Sequence, residues 1–167
     1  MENKQALEIL KSAILMEIRG QSFYKNVVEQ TKSDDIKNIF NIMADEEKLH
    51  EEFLTRHYTN IKNGNLTDVL PFPKESAENI VNLILSPEIK NQISGAGYEA
   101  AAISAAIDME NKAVEIYSDF ANSSSEPEIK NLFQWLANWE RGHVKLLSEL
   151  DKELREKIWF DNDFWPF

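Results

Sequence analysis

Ala44-Asp45-Glu46-Glu47-Lys48-Leu49-His50 is the stretch on which the reading of this chain turns, because it returns 93 residues later as Ala137-Asn138-Trp139-Glu140-Arg141-Gly142-His143. The same shift lays Met16-Glu17 on Met109-Glu110 and Tyr24 on Tyr117. Between residues 13 and 54 this gap-free offset gives 13 identities in 42 positions, among them Glu17, Glu47 and His50. A pattern Glu…Glu-x-x-His therefore stands in the chain twice. We read it as a duplicated helical hairpin.

Working outward, the flanking residues set the helices. Leu10, Ala13, Ile14, Glu17, Gln21, Tyr24 and Val28 keep helical spacing across residues 4–29. Thr31-Lys32-Ser33 makes the turn, with Ser33 as N-cap and Asp34-Asp35 suited to the positive helix start. The second helix runs to about Lys62 and ends near Asn63-Gly64, on an inner stripe of Ile36, Phe40, Met43, Glu47, His50 and Leu54. A third helix over about 98–121 carries Ile103, Ala106, Glu110, Ala113, Tyr117 and Ala121 on one face. The fourth, with Pro127 in its first turn, repeats the second helix's rhythm through Phe133, Leu136, Glu140, His143, Leu147 and Leu154.

Between the hairpins, residues 64–97 break the pattern. Pro71 and Pro73 forbid one continuous helix, Ser76–Leu85 reads as a short helix, and Ser94-Gly95-Ala96-Gly97 punctuates again. A connection this long suits a crossing of the bundle's length, which makes helices two and three parallel. The expected architecture is all-α: one four-helix bundle over 1–155, with hairpins 4–63 and 98–155 and crossover 64–97. An aromatic tail, 156–167, is expected to pack on the bundle or on a second copy, which suggests a homodimer.

Composition narrows the function classes. A net charge of −11 argues against a phosphate-binding surface and so against nucleic acid, while an acidic field attracts cations. Without cysteine, the 167 residues hold no disulfide, iron–sulfur cluster or rubredoxin-type iron site. No apolar run is long enough to span a membrane, and the polar Met1–Gln5 segment lacks a signal-peptide core, so a cytoplasmic protein is expected.

The repeated motif carries the chemistry. Glu at i and His at i+3 project from one helix face, here the core face. A carboxylate buried there must be protonated, paired or bound to metal. No Lys or Arg shares the four inner stripes. Two divalent ions would balance Glu17, Glu47, Glu110 and Glu140, with His50 and His143 as neutral ligands. Oxygen-rich ligation with one imidazole per ion suits iron, or manganese, better than structural zinc. Tyr24 and Tyr117 fall on the same stripes two turns along, where they could hydrogen-bond a ligand carboxylate or pass an electron. His57 lacks a counterpart in the repeat (Leu150) and reads as a surface or bundle-end histidine, while Gly20 and Gly142 lie within a turn of a candidate ligand.

Glu17-x6-Tyr24, Glu47-x2-His50, Glu110-x6-Tyr117 and Glu140-x2-His143 together resemble the di-iron domain of rubrerythrin-like proteins, in the ferritin-like superfamily, over about residues 5–155. The resemblance implies a ferritin-like bundle in which Glu17 and Glu110 are terminal ligands, Glu47 and Glu140 bridge, and His50 and His143 each cap one iron. It also implies a redox role: reduction of hydrogen peroxide, or secondarily O₂, in oxidative-stress defence. The electrons would come from an external donor such as a rubredoxin-like protein. This sequence departs from the family pattern at Ala113, where rubrerythrins proper carry a further glutamate in a helix with one inserted residue; a symmetric six-ligand site is expected instead. The alternatives are a ferroxidase acting on Fe²⁺ and a non-catalytic, metal-stabilised bundle that recruits a partner.

Overall fold

The computed structural model describes residues 2–64 and 97–161. They form four helices and, among the described residues, no strand: α1 (Glu2–Gln30), α2 (Asp34–Lys62), α3 (Tyr98–Ser123) and α4 (Pro127–Asp161). The expected all-α hairpin architecture is what is observed. α1 packs along α2 and α3 along α4, with the closest backbone approach between hairpins at α1 and α3.

The helix ends follow from local chemistry. Ser33 caps α2, its side chain accepting from the Ile36 N–H at 3.3 Å, and Asp34 and Asp35 occupy the first turn. Gly64, at φ +80°, leaves α2 in the left-handed region that favours glycine. One expectation is corrected. The fourth helix does not stop at 155 but runs on to Asp161, so the start of the expected tail is helical. Among the residues whose side chains are described, Leu154 is the last buried apolar one, and the good helix formers Arg155 and Glu156 carry the backbone onward. The expected crossover helix (76–85) and the aromatic end of the tail (162–167) lie outside the described residues.

Side-chain contacts fix the helix directions. Tyr24 reaches Glu110 while Tyr117 reaches Glu17, so α1 and α3 run antiparallel. Each hairpin is antiparallel as well, which leaves α2 parallel to α3. Since the 29 residues of α2 span about 43 Å, the intervening segment has a whole bundle length to return. Thr31 ties the first turn to the start of α3 through a 2.7 Å hydrogen bond to Glu99.

The core is split in two by what lies at its middle. One apolar cluster gathers Tyr24, Phe40, Met43, Ile103, Leu147 and Leu150. The other gathers Leu10, Leu54, Tyr117, Phe133, Leu136 and Ala121. Between these two plugs sits a layer of buried acid and imidazole groups.

Candidate metal centre

Each helix delivers its polar residues to this layer at the spacing that puts them on its inner face. Glu17, Glu47, Glu110, Glu140, His50 and His143 are all at most 4 % exposed. They fall into two groups whose ligand atoms lie within 4.8 Å of one another: Glu17, Glu47, His50 and Glu140, and Glu47, Glu110, Glu140 and His143. Glu47 and Glu140 belong to both groups. All six sequence-predicted residues are thus brought together, in two sets that could each hold a metal ion.

Both imidazoles turn Nδ1 inward. His50 Nδ1 lies 3.3 Å from Glu17, 3.3 Å from Glu140 and 3.7 Å from Glu47. His143 Nδ1 lies 2.9 Å from Glu140, 3.3 Å from Glu110 and 3.5 Å from Glu47. Despite these distances, His143 Nδ1 and both oxygens of Glu140 are buried without a hydrogen bond of acceptable geometry. Buried polar atoms are rarely left unpaired. Lone pairs that converge without bonding one another are the arrangement expected around cations, so the donor set fits two metal ions.

The electrostatics point the same way. Burial first, then Glu140 and Glu17, pushes the Glu47 carboxyl well above its ordinary range. Burial and Glu140 raise Glu110 to about 7. Burial opposes ionisation of Glu140 too, but His143 and His50 outweigh it and hold that carboxyl below the usual range. For both histidines burial disfavours the cation, and the surrounding carboxylates overcome it and raise the pKa. Without metal, protons must therefore neutralise this layer.

Tyr24 and Tyr117 are crossed between hairpins. Tyr24, on α1, donates to Oε1 of Glu110 on α3, and Tyr117, on α3, donates to Oε1 of Glu17 on α1. Burial, then the accepting carboxylates, raises both phenol pKa values, so both remain protonated donors. Each orients the carboxylate it reaches, and neighbouring rings hold it: Phe40 lies 5.5 Å from Tyr24, and Phe133 lies 5.8 Å from Tyr117.

The two sides of the layer differ. A cavity of about 330 Å³ between α1 and α3 is lined by all four shared-layer glutamates and by neither histidine. Its wall also includes Gly20 and Ala113, and exposed Arg19 and Lys112 connect it to the surface. A Cβ at Gly20 would stand 3.3 Å from Glu47 Cδ, so the glycine gives that glutamate room. On the opposite side, Trp135 and Trp139 stand edge-on to His50 at 5.6 and 5.2 Å and close it off.

Sequence reasoning missed Glu46. It is only 6 % exposed, and its Oε2 lies 2.6 Å from His143 Nε2 and accepts from Trp139 Nε1 at 3.4 Å. A signal was there: Ile39, Met43, Glu46, His50 and Phe53 keep the same four-three rhythm as the stripe beside them. His57, expected as a surface or bundle-end histidine, is half-buried against Phe53 at 4.7 Å, and burial lowers its pKa.

A buried carboxylate–imidazole layer at the centre of an antiparallel four-helix bundle places the molecule among ferritin-like proteins. The family model described as rubrerythrin matches residues 8–150, and the chain belongs to the rubrerythrin family. Rubrerythrins are di-iron proteins, and the acid and histidine cluster is compatible with metal binding. Among solved structures, the chain is similar to a hypothetical protein from Pyrococcus furiosus, at 26 % identity over 90 % of each chain, with a TM-score of 0.59. No curated protein matches it. None of the described helices is long and apolar enough to cross a membrane.

Proposed function

We propose that this protein is a di-iron oxidoreductase that reduces hydrogen peroxide, with O₂ as a slower oxidant, using electrons from an external donor. The observation that carries the reading is the pair of four-residue groups sharing Glu47 and Glu140, with a cavity opening on the carboxylate side. Glu17 and His50 would hold one ion, Glu110 and His143 the other, and Glu47 and Glu140 would bridge them. Two irons held there would supply electrons and polarise the O–O bond.

The rest falls to the chain's own residues. Tyr24 and Tyr117 keep the terminal carboxylates in place, while Trp135 and Trp139 exclude water behind His50. The cavity admits a small oxidant together with solvent protons. Each peroxide takes up two electrons and two protons, its O–O bond breaks, and two waters leave. The electrons would reach the bundle from a donor outside it, such as a rubredoxin-like protein.

The ferroxidase alternative, with Fe²⁺ as substrate, draws on the net charge of −11 and on a cavity that ends in four carboxylates. One experiment separates the readings. Protein loaded anaerobically with Fe²⁺ is mixed rapidly with H₂O₂ or O₂ while near-ultraviolet absorbance is followed. The peroxidase reading expects about two irons per chain, oxidised faster by peroxide. Faster oxidation by O₂ with turnover of added Fe²⁺ supports the ferroxidase. Failure to bind iron, unaffected by changing Glu47 or Glu140, sinks both.

A further inference from the structure

The duplication predicts a two-fold symmetric site, and the six candidate ligands obey that symmetry, whereas the residues directly behind the two histidines do not. The 93-residue offset pairs Glu46 with Trp139. Each reaches across to the histidine of the other hairpin. Glu46 Oε2 lies 2.6 Å from His143 Nε2. Trp139 instead presents its ring to His50, with centroids 5.2 Å apart and planes at 89°. His50 Nε2 is buried and has no hydrogen-bond partner among the described residues.

Because Nδ1 of each ring faces the carboxylates, Nε2 is the nitrogen left to carry the proton when the imidazole acts as a neutral ligand. At His143 that N–H has an anionic acceptor, which locks the ring's tautomer and orientation and makes Nδ1 more electron-rich. At His50 the same nitrogen has no acceptor among the described residues, and the rings packed across this imidazole are the indoles of Trp135 and Trp139. Trp139 also serves the other side, since its Nε1–H donates to Glu46. One residue substitution between the repeats thus strengthens one imidazole and leaves the other without support. Glu46 Oε1 has no partner, so this carboxylate is kept buried although only one of its oxygens is satisfied.

We infer that Glu46 is a positioning residue that makes the two ion positions unequal, so that the Glu110–His143 position holds its divalent cation more tightly than the Glu17–His50 position. This rests on the di-metal reading above. The tighter position would retain its ion while the other exchanges.

The test is an anaerobic titration of metal-free protein with Co²⁺, followed by visible absorbance and calorimetry. Glu46→Ala should weaken one binding step by roughly 10–100-fold and leave the other unchanged. Glu46→Gln, whose amide oxygen still accepts from Nε2–H, should fall between wild type and Glu46→Ala, and it guards against loss of folding in the truncated variant. Repulsion between two bound cations also separates binding steps, so a double-mutant cycle decides the matter. Glu46→Ala should add nothing to His143→Ala and should retain its full effect on His50→Ala. An equal effect in both backgrounds, or two indistinguishable steps in wild type, overturns the inference while leaving the di-metal site intact. Absence of any bound Co²⁺ in wild type removes the di-metal reading and this inference with it.

Discussion

The two hairpins agree wherever they touch the carboxylate layer from within and differ just outside it. Glu17 and Glu110, Glu47 and Glu140, His50 and His143, and Tyr24 and Tyr117 are identical pairs under the offset. So are Phe40 and Phe133, which flank the tyrosines. Among the mismatches in contact with the site are Glu46 against Trp139 and Gly20 against Ala113. Duplication supplies a frame in which each half completes the other, as the crossed tyrosines show. The mismatches then let equivalent ligands sit in unequal surroundings.

The largest expected effect comes from the two shared glutamates, which the repeat makes equivalent and the electrostatics do not. In the metal-free protein Glu140 is held ionised between His143 and His50, whereas Glu47 is pushed toward its neutral form by burial and its acidic neighbours. Glu140→Ala therefore strips both buried imidazolium groups of the ionised carboxylate they share and should cost roughly 3–5 kcal/mol of metal-free stability. Glu47→Ala removes a neutral carboxyl and should cost roughly 1–3 kcal/mol. Both should abolish metal loading. Chemical denaturation of the metal-free variants checks the difference, and equal losses would show that the charge is shared evenly.

Much of this was legible beforehand. The Ser33 cap, the helix starts and the apolar stripes are local features, and the offset of 93 tied the hairpins together without any structure. The six polar residues on the stripes are all brought into one layer. What stayed hidden was tertiary. Tyr24 lies two turns beyond Glu17 on its own helix, yet the carboxylate it serves is Glu110, on the other hairpin. Glu46 was overlooked because a bundle helix buries two adjacent diagonals, and only one of them was followed. The expected bundle boundary at 155 followed the end of the four-three stripe at Leu154, whereas the backbone of α4 stays helical through Asp161.

The next effect compares the protein with and without metal. Glu47 and Glu110 have raised folded pKa values, so their stabilising contribution is complete below the ordinary 4.5 and is lost as pH rises, for Glu110 through about 7. His50 and His143 are raised as well, and their contribution is complete below 6.5 and lost above their folded values. Glu140, being lowered, acts in the opposite sense: its contribution is present above 4.5 and is lost only as pH falls through its folded value. Between about pH 5 and 8 the metal-free bundle should thus lose stability, on the order of 3 kcal/mol from Glu110 alone. Metal replaces those protons, so the loaded protein should hold its melting temperature over the same range. Calorimetric scans at several pH values check this, and parallel curves for both forms would contradict it.

Removing one crossed hydrogen bond tests the symmetry directly. Tyr24→Phe leaves Glu110 Oε1 without its donor, and Tyr117→Phe does the same to Glu17. Each should cost roughly 1–2 kcal/mol in the loaded protein, and the two costs should match because the tyrosine contacts obey the two-fold relation. A clear inequality would mean that the asymmetry behind the histidines reaches the carboxylate side of the layer.

The smallest effect lies at the other mismatch. Gly20→Ala gains roughly 1 kcal/mol of helix propensity, since glycine is a poor interior residue. Its new Cβ would approach Glu47 Cδ at 3.3 Å, so the glutamate must give way by a few tenths of an ångström. In the metal-free protein Glu47 is not tied to an ion and can shift, so the melting temperature should rise slightly. In the loaded protein the same shift would strain a bridging carboxylate, so the gain should vanish. Ala113 already carries a Cβ at the equivalent place, and Ala113→Gly should lower stability by roughly 1 kcal/mol in both forms alike. Melting curves of the two variants, with and without metal, carry the comparison. If Gly20→Ala stabilised both forms equally, Glu47 would have slack, and the glycine would be a remnant of packing with no bearing on the site.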